Sequence, residues 1–351
     1  MANGMYRIGI VGATSLAGKE LVDELQESLL AASDFVLLDD EEAAGQVTAA
    51  GDEVAFVQRI ETASFDRMDF VFFTGDAEVT RKHWQQARKA GASIVDMTYA
   101  LEGEPDVLVR SPLTIGSKPG IDLSGGPAPD LKTPAVVAGH PAAVMLALVA
   151  ARLRTRFALT TFAATVMEPA SEHGPAAMDE LHQQTVNLLS FHDLPKEQYD
   201  AQVSFNLLPS LGDAAKVKLK GAEDRIRRHY ATLSSGTLPR LVLQLIQAPV
   251  FHGYVASVLV ELAEPVTVEQ LEEALAGEHL DIVVGESDPP SNLSAAGQEE
   301  IMVRVNREPN EDGKSTQYWL WLAADNLKLA AANAISCALE MRRLRPSGKV
   351  Q

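Results

Sequence analysis

Over its first 140 residues the chain alternates short β-rich apolar runs with stretches of helical spacing, and this alternation limits the fold more than any single motif does. Strands interleaved with helices are the pattern of a parallel sheet covered by helices, because each helix carries the chain back to the edge where the next parallel strand starts. Tyr6–Val11 reads as the first strand, Lys19–Leu30 as a helix and Phe35–Leu38 as a second strand. Phe70–Phe73 reads as another strand, Val79–Ala90 as a helix and Ser93–Asp96 as a further strand. The expected class is α/β, doubly wound. Residues 111–134 are dense in Pro, Gly and Ser and read as a long irregular connection over the surface.

The pattern changes beyond residue 140. Ala142–Leu153 has the composition of a buried helix, and Phe157–Met167 reads as a long strand. A helix at Met178–Leu189, strands at Leu241–Phe251 and Val255–Leu262, a helix at Val268–Leu275 and strands at Ile301–Val305 and Gln317–Leu322 follow. These suggest a second, α+β domain on a mixed or antiparallel sheet. The last helix, Asn326–Arg343, is apolar on one side. The expected division is a first domain over 1–140, completed by a C-terminal helix over 326–345, and a second over 141–325.

Composition agrees with two cores, since 351 residues at 46% hydrophobic content exceed what one core usually serves. No stretch approaches the roughly 20 apolar residues of a membrane span and the N-terminus carries no signal-peptide h-region, so a cytoplasmic, membrane-free protein is expected. A net charge of −18 repels phosphate backbones and argues against nucleic-acid partners. One cysteine, Cys337, excludes a disulfide framework and a Cys-based metal cluster. Its apolar neighbours make it a small buried hydrophobe.

The first chemical motif is Gly12-Ala13-Thr14-Ser15-Leu16-Ala17-Gly18, where the first strand turns into the first helix. Glycine permits the tight turn, and the N–H groups and dipole of a helix start favour a pyrophosphate. At the end of the second strand, about twenty residues on, Asp39 begins an acidic run through Asp40, Glu41 and Glu42. An acid there can bond the adenosine ribose, and four carboxylates would repel a 2′-phosphate, so NAD is favoured over NADP if a nicotinamide cofactor binds. A solvated loop is the plainer reading of such a run.

Five separated segments carry a resemblance. They are the glycine turn, Ala90–Asp96 with Ala100, Phe205-Asn206-Leu207-Leu208-Pro209, Gln247-Ala248-Pro249-Val250-Phe251, and Asp325-Asn326-Leu327 leading into Ala330–Ala334. In this order they make the chain resemble the aspartate-semialdehyde dehydrogenase family over nearly its whole length, closest to its Usg-type paralogues. The resemblance implies a Rossmann domain completed by the C-terminal helix, a dimerisation domain holding the active site, and a homodimer or tetramer. It also implies a cysteine thiolate at a helix N-terminus that attacks the aldehyde, a histidine base, hydride transfer to NADP and phosphate release of the thioester.

Residue by residue the chain departs from that design. Ala142 stands where the cysteine belongs, in Gly139-His140-Pro141-Ala142, and alanine cannot act as a nucleophile. Tyr254 stands at the base position, where a phenol with a pKa of about 10 is a poor base. Gln247 replaces the arginine that would clamp the substrate carboxylate, Glu168 a glutamine beside the cysteine, and Glu102 an arginine that helps bind phosphate. Ser15 replaces a glycine of the cofactor motif and Glu42 a basic residue near the 2′-phosphate. Glu223 and Arg225 fall where a substrate-binding Glu and Lys belong, and Asn326 matches an asparagine near the nicotinamide amide.

The same region gains His140, Glu168, Glu172, His173 and His252, which could form an acid/base pair or bind a divalent metal. Their spacing follows no metal motif, and separate surface or hydrogen-bonded positions are the plainer reading. His83, His182, His192 and His229 read as ordinary surface residues, and Trp319-Leu320-Trp321 as a strand packing the core. Three functions are carried forward: a dimeric binding or regulatory pseudoenzyme that binds NAD or a partner chain, an active NAD(P)-dependent oxidoreductase with altered substrate and mechanism, and a structural protein without a small ligand.

Overall fold

In a computed structural model of the chain, residues 6–31, 33–43, 45–50, 53–114, 125–285, 287–306 and 313–344 are described. They form two compact units, one within Met1–Ile115, Ser124–Gly139 and Ala330–Gln351, the other within His140–Leu329.

The first unit runs β1 (Arg7–Val11), α1 (Leu16–Glu27), β2 (Asp34–Asp39), the hairpin β3 (Val47–Ala50) and β4 (Glu53–Phe56), then β5 (Gln58–Arg59) and β6 (Phe70–Phe73). It continues through α2 (Ala77–Lys89), β7 (Ser93–Asp96), β8 (Leu108–Arg110) and β9 (Val136–Ala138). A seven-stranded sheet takes the order β5-β2-β1-β6-β7-β9-β8, and its pairings are parallel. Reversal of strand order about β1 makes the sheet doubly wound, as expected. The continuous apolar run Phe70-Val71-Phe72-Phe73 is wholly buried, because a central parallel strand meets side chains on both faces. Strands β8 and β9 were not anticipated. Three residues each, they are too short to show a period.

In the second unit come α3 (Pro141–Arg154), β10 (Leu159–Glu168), α4 (Pro175–Leu189), α5 (Leu219–Ser234), β11 (Leu241–Gln247) and β12 (Tyr254–Thr267). After them follow α6 (Val268–Leu275), β13 (Leu280–Ile282), α7 (Asn292–Ala295), β14 (Ile301–Asn306) and β15 (Lys314–Ala324). The second sheet is six-stranded and mixed, ordered β11-β10-β12-β15-β14-β13. Strand β11 stops at Gln247 rather than Phe251, for Pro249 has no N–H to continue a ladder.

Helix α3 is buried on every side, with Ala142 to Ala151 all at 6% exposure or less. The other face of the sheet is covered at one end, where Val255 and Ala323 pack with Ala295 of α7, and is more open elsewhere. Register places Val242, Ala163, Leu259 and Trp319 in one row across β11, β10, β12 and β15, and Val242 and Trp319 are 61% and 42% exposed. The strand at Trp319–Trp321 is as expected: Leu320 enters the main core, and Trp321 packs against a small cluster of Val255, Ala295 and Ala323. Period-2 alternation turns both tryptophans to the other face, where Trp321 Nε1 donates to the Pro290 carbonyl (2.8 Å).

The last helix, α8 (Asn326–Met341), packs Ala331, Ala334, Ile335, Cys337, Ala338 and Met341 against Ile8, Ile10, Leu21 and Phe72 of the first unit. Cys337 is the buried small hydrophobe its neighbours suggested.

Candidate functional site

The glycine turn of the first unit is built by close approach. Gly12 has φ +84, and a Cβ there would overlap the Gly75 backbone, while one on Gly18 would overlap the Gly12 carbonyl. Most of the turn's N–H groups are engaged internally. Gly12 and Ala13 donate to the Leu38 carbonyl, Ser15 to the Gly12 carbonyl, and Gly18 to Ser15 Oγ (2.9 Å), which caps α1. Thr14 donates through both N–H and Oγ to Asp39 Oδ2 (2.9 and 2.7 Å). Leu16 and Ala17 are the first two residues of α1, where backbone N–H groups lie ahead of the helix's own ladder.

Asp39 is half-buried, its second oxygen accepting from the Asp40 N–H (3.0 Å), so its carboxylate ties the end of β2 to the glycine turn. Asp40, Glu41 and Glu42 are exposed; Asp40 caps the turn through the Glu42 and Ala43 N–H groups, and Glu41 pairs with Arg59 (2.9 Å). Glu102 lies half-buried in the turn after β7.

The second unit holds a buried polar cluster. Glu168, the last residue of β10, is followed at once by Pro169 and a 3₁₀ turn, Ala170–His173, which folds His173 back so that its Nε2 lies 2.9 Å from Glu168 Oε2. Glu172 on the same turn reaches His140 Nε2 (3.4 Å), and His140 is the N-cap of α3. Asn326 joins the parts: Oδ1 accepts from Ser171 Oγ and the Gly253 N–H (both 3.1 Å), and Nδ2 donates to Glu172 Oε2 (3.2 Å). Tyr254, fully buried, faces the His140 ring at 6.3 Å. Two positions past His140, Ala142 is also fully buried.

Gln247 lies opposite Glu168 in the parallel pairing of β10 and β11. Its Nε2 donates to the Glu168 and Ala248 carbonyls (3.1 and 3.2 Å). Gln247 Oε1 and Glu168 Oε1 are both buried and have no hydrogen-bond partner among the described residues.

The structure therefore corrects the reading of these positions as separate. Glu168, Glu172, His173 and His140 converge because the 3₁₀ turn brings positions four and five after Glu168 onto its side, beside the α3 N-terminus. His252 is not among them; the bond described for it is at its backbone carbonyl, from Asn292 Nδ2 (3.3 Å). His229 is also corrected: it is buried, and its Nδ1 accepts the His140 N–H (2.9 Å). Its spacing from Ile226 and Leu233 on the apolar side of α5 could have revealed this. Ser171 and Gly253 had no such signal. Glu223 lies on α5, bonding the Leu245 N–H (2.8 Å) and Arg227 (2.7 Å), with Arg225 half-buried on the same helix. Among the described residues, no group of three or more His, Cys, Asp or Glu is placed to hold a metal ion.

Burial, then the neighbouring Glu168, raise the Glu172 carboxyl to about 7 against an ordinary 4.5, while His173, Asn326 and Tyr254 pull the other way. Burial opposes protonation of His173, but Glu168 and Glu172 outweigh it and raise the imidazole above its ordinary range. Both shifts weaken the folded state as pH rises. A raised carboxyl contributes stability that is full below 4.5 and lost through about 7, and a raised imidazole contributes stability that is full below 6.5 and lost as pH rises through its folded value. Removing the first contribution with Glu172→Gln is expected to flatten the stability profile between pH 4.5 and 7 and to stabilise the protein above pH 7 by up to about 3 kcal/mol. Denaturant midpoints across that range check this, and parallel profiles for the two proteins would refute it.

Residues 7–116 match the semialdehyde dehydrogenase NAD-binding domain and residues 151–329 the semialdehyde dehydrogenase dimerisation domain. A USG-1 protein homolog of Pseudomonas aeruginosa is 32% identical over 93% of this chain and 95% of its own. An aspartate-semialdehyde dehydrogenase of Rickettsia bellii is 24% identical over 96% and 97%. The solved structure of a probable aspartate-semialdehyde dehydrogenase from Pseudomonas aeruginosa superposes with a TM-score of 0.79 at 29% identity, covering 97% of this chain and 99% of that one. Among the described residues no helix is long and apolar enough to cross a membrane. By sequence over both domains and by fold, this chain belongs to the semialdehyde dehydrogenase family.

Proposed function

We propose that the chain is a dimeric pseudoenzyme of its family, a binding or regulatory protein without semialdehyde dehydrogenase activity. The observation that carries this is Ala142: a buried methyl group occupies the second position of α3, where the resemblance calls for a thiol. No other thiol replaces it, since Cys337 is the single cysteine and its thiol is fully buried on α8, held far above the usual thiol range by that burial. Gln247 supplies no positive charge at the clamp position, and its amide N–H groups are turned to two backbone carbonyls.

The dinucleotide reading rests on the strand-turn-helix geometry at Gly12–Gly18, where Leu16 and Ala17 offer N–H groups to a phosphate. Exposed carboxylates at 40–42 favour NAD over NADP by repelling a 2′-phosphate. Calorimetric titration is expected to give NAD binding with NADP excluded. If neither binds at millimolar concentration, the first unit is a scaffold and the dinucleotide reading fails.

A homodimer through the open face of the six-stranded sheet fits the apolar row Val242-Ala163-Leu259-Trp319. The alternative, an oxidoreductase of altered substrate and mechanism, is favoured by one observation: Glu172, near neutrality beside His140, suits a general acid or base. It requires turnover of some aldehyde or alcohol that Glu168→Gln abolishes.

A further inference from the structure

We propose that the buried cluster around Glu168 and Glu172 is a binding site for a small organic ammonium group, gripped by Glu168 Oε1 and Gln247 Oε1. The inference rests on the reading that the thiol chemistry is gone, and it names what the recast site takes instead.

Buried polar atoms without partners are rare and costly, and here two of them, both acceptors, belong to residues facing each other across β10 and β11. Glu168 is fully buried, with Oε2 on His173 and Oε1 lacking a donor. Gln247 is equally buried, and since its Nε2 is fixed on two carbonyls the amide cannot flip to offer a donor in place of Oε1. Both atoms call for N–H or O–H groups from outside the protein.

Charge points the same way. Two carboxyl groups, Glu168 and Glu172, share the cluster, set against the His173 and His140 imidazoles at 2.9 and 3.4 Å. An anion entering this space would bring further acceptors to the unpartnered Glu168 Oε1 and Gln247 Oε1. A primary ammonium carries three donors for such acceptors. Glu172 and His173 keep 12% and 14% side-chain exposure, whereas Glu168 and Gln247 are fully buried.

A proton linkage follows. Glu172 stays largely protonated up to neutral pH in part because Glu168 lies close, and an ammonium arriving beside them favours its ionised form. Binding near pH 6.5 should therefore release protons, approaching one per site.

The test uses the full chain and ethylammonium chloride as probe, read by the imidazole ring signals of His173 in NMR spectra and by proton release in weakly buffered solution. Affinity should be about millimolar, given three non-hydrogen atoms. Tetramethylammonium at equal ionic strength has the charge without the donors, and propionate and inorganic phosphate are the anionic controls. Saturable shifts with ethylammonium alone are expected, weakened at least tenfold in both Glu168→Gln and Gln247→Met. Glu172→Gln should still bind but release no proton. The proposal is overturned by an equal response to tetramethylammonium, by no saturable response to ethylammonium, by saturable binding of propionate or phosphate, or by ethylammonium binding unchanged in both variants at positions 168 and 247. A parallel assay for phosphate-dependent semialdehyde oxidation separates the two readings: turnover would sink the pseudoenzyme reading, whereas absent ammonium binding without turnover sinks this inference alone.

Discussion

Aspartate semialdehyde supplied with phosphate and NADP is expected to yield no reduced nicotinamide in the presence of this protein, and the Ala142→Cys, Tyr254→His double variant is expected to do little better. Loss of a covalent nucleophile costs on the order of 10⁴-fold or more in rate, because the residual binding groups cannot form the acyl intermediate. Restoring the thiol restores only part of what a thiolate needs. At the second position of α3 a cysteine would gain from the helix dipole, but Glu172 stands 3.4 Å from the N-cap His140 and Glu168 belongs to the same cluster. Carboxylates there hold a thiol protonated, opposite to the electropositive setting of a reactive cysteine. The carboxylate clamp would still be Gln247, whose N–H groups point at backbone carbonyls. Single-turnover and steady-state assays of both proteins, with intact assembly checked in parallel, decide the matter. Phosphate-dependent turnover by the double variant within about a hundredfold of an active family member would show that the site lost little beyond its nucleophile.

Much of the sheet architecture was legible because it is written in local periods. Phe70–Phe73 and Ser93–Asp96 read directly as buried parallel strands, and α6 was expected at Val268–Leu275, where Thr267 and Gln270 form its capping box. Strands β8 and β9 were missed because three residues cannot display a period, and Arg110 in the middle of a core region looks polar until its partner is known. The cluster in the second unit was legible as a set of residue types but not as a site. Glu168, Glu172 and His173 are neighbours in sequence whose convergence depends on the 3₁₀ turn after Pro169, and His140, Tyr254 and Asn326 arrive from three other elements. Asn326 shows the limit most clearly. Both ends of its amide are engaged by Ser171, Gly253 and Glu172, a network that no spacing in the chain foretells.

Arg110 carries the second large effect. It is 1% exposed at the end of β8, with Nε and Nη2 on the two carboxylate oxygens of Glu340 (3.2 and 2.5 Å) and Nη1 on the Gly126 carbonyl (2.6 Å). Its own carbonyl receives the Gly139 N–H (2.8 Å) and Asn333 Nδ2 (3.3 Å), so one residue ties β8, the end of β9 and α8 together. Replacing it by methionine keeps most of the volume but leaves the Glu340 carboxylate, 12% exposed, without its cation and the Gly126 carbonyl without its donor. Breaking a buried pair from one side costs about 3–5 kcal/mol, while replacing both partners by apolar groups is often near neutral, because the desolvation penalty vanishes with the charges. Arg110→Met is therefore expected to destabilise the first unit by that amount, and Arg110→Met with Glu340→Leu to recover most of it. The readout can be confined to this unit: of the three tryptophans, Trp84 on α2 is buried there and the other two lie on β15, so a Trp319→Phe, Trp321→Phe background leaves Trp84 fluorescence as the reporter of guanidinium unfolding. A loss below about 1 kcal/mol in the single variant, or a double variant as unstable as the single, would mean that the apolar contacts of α8 alone hold it in place.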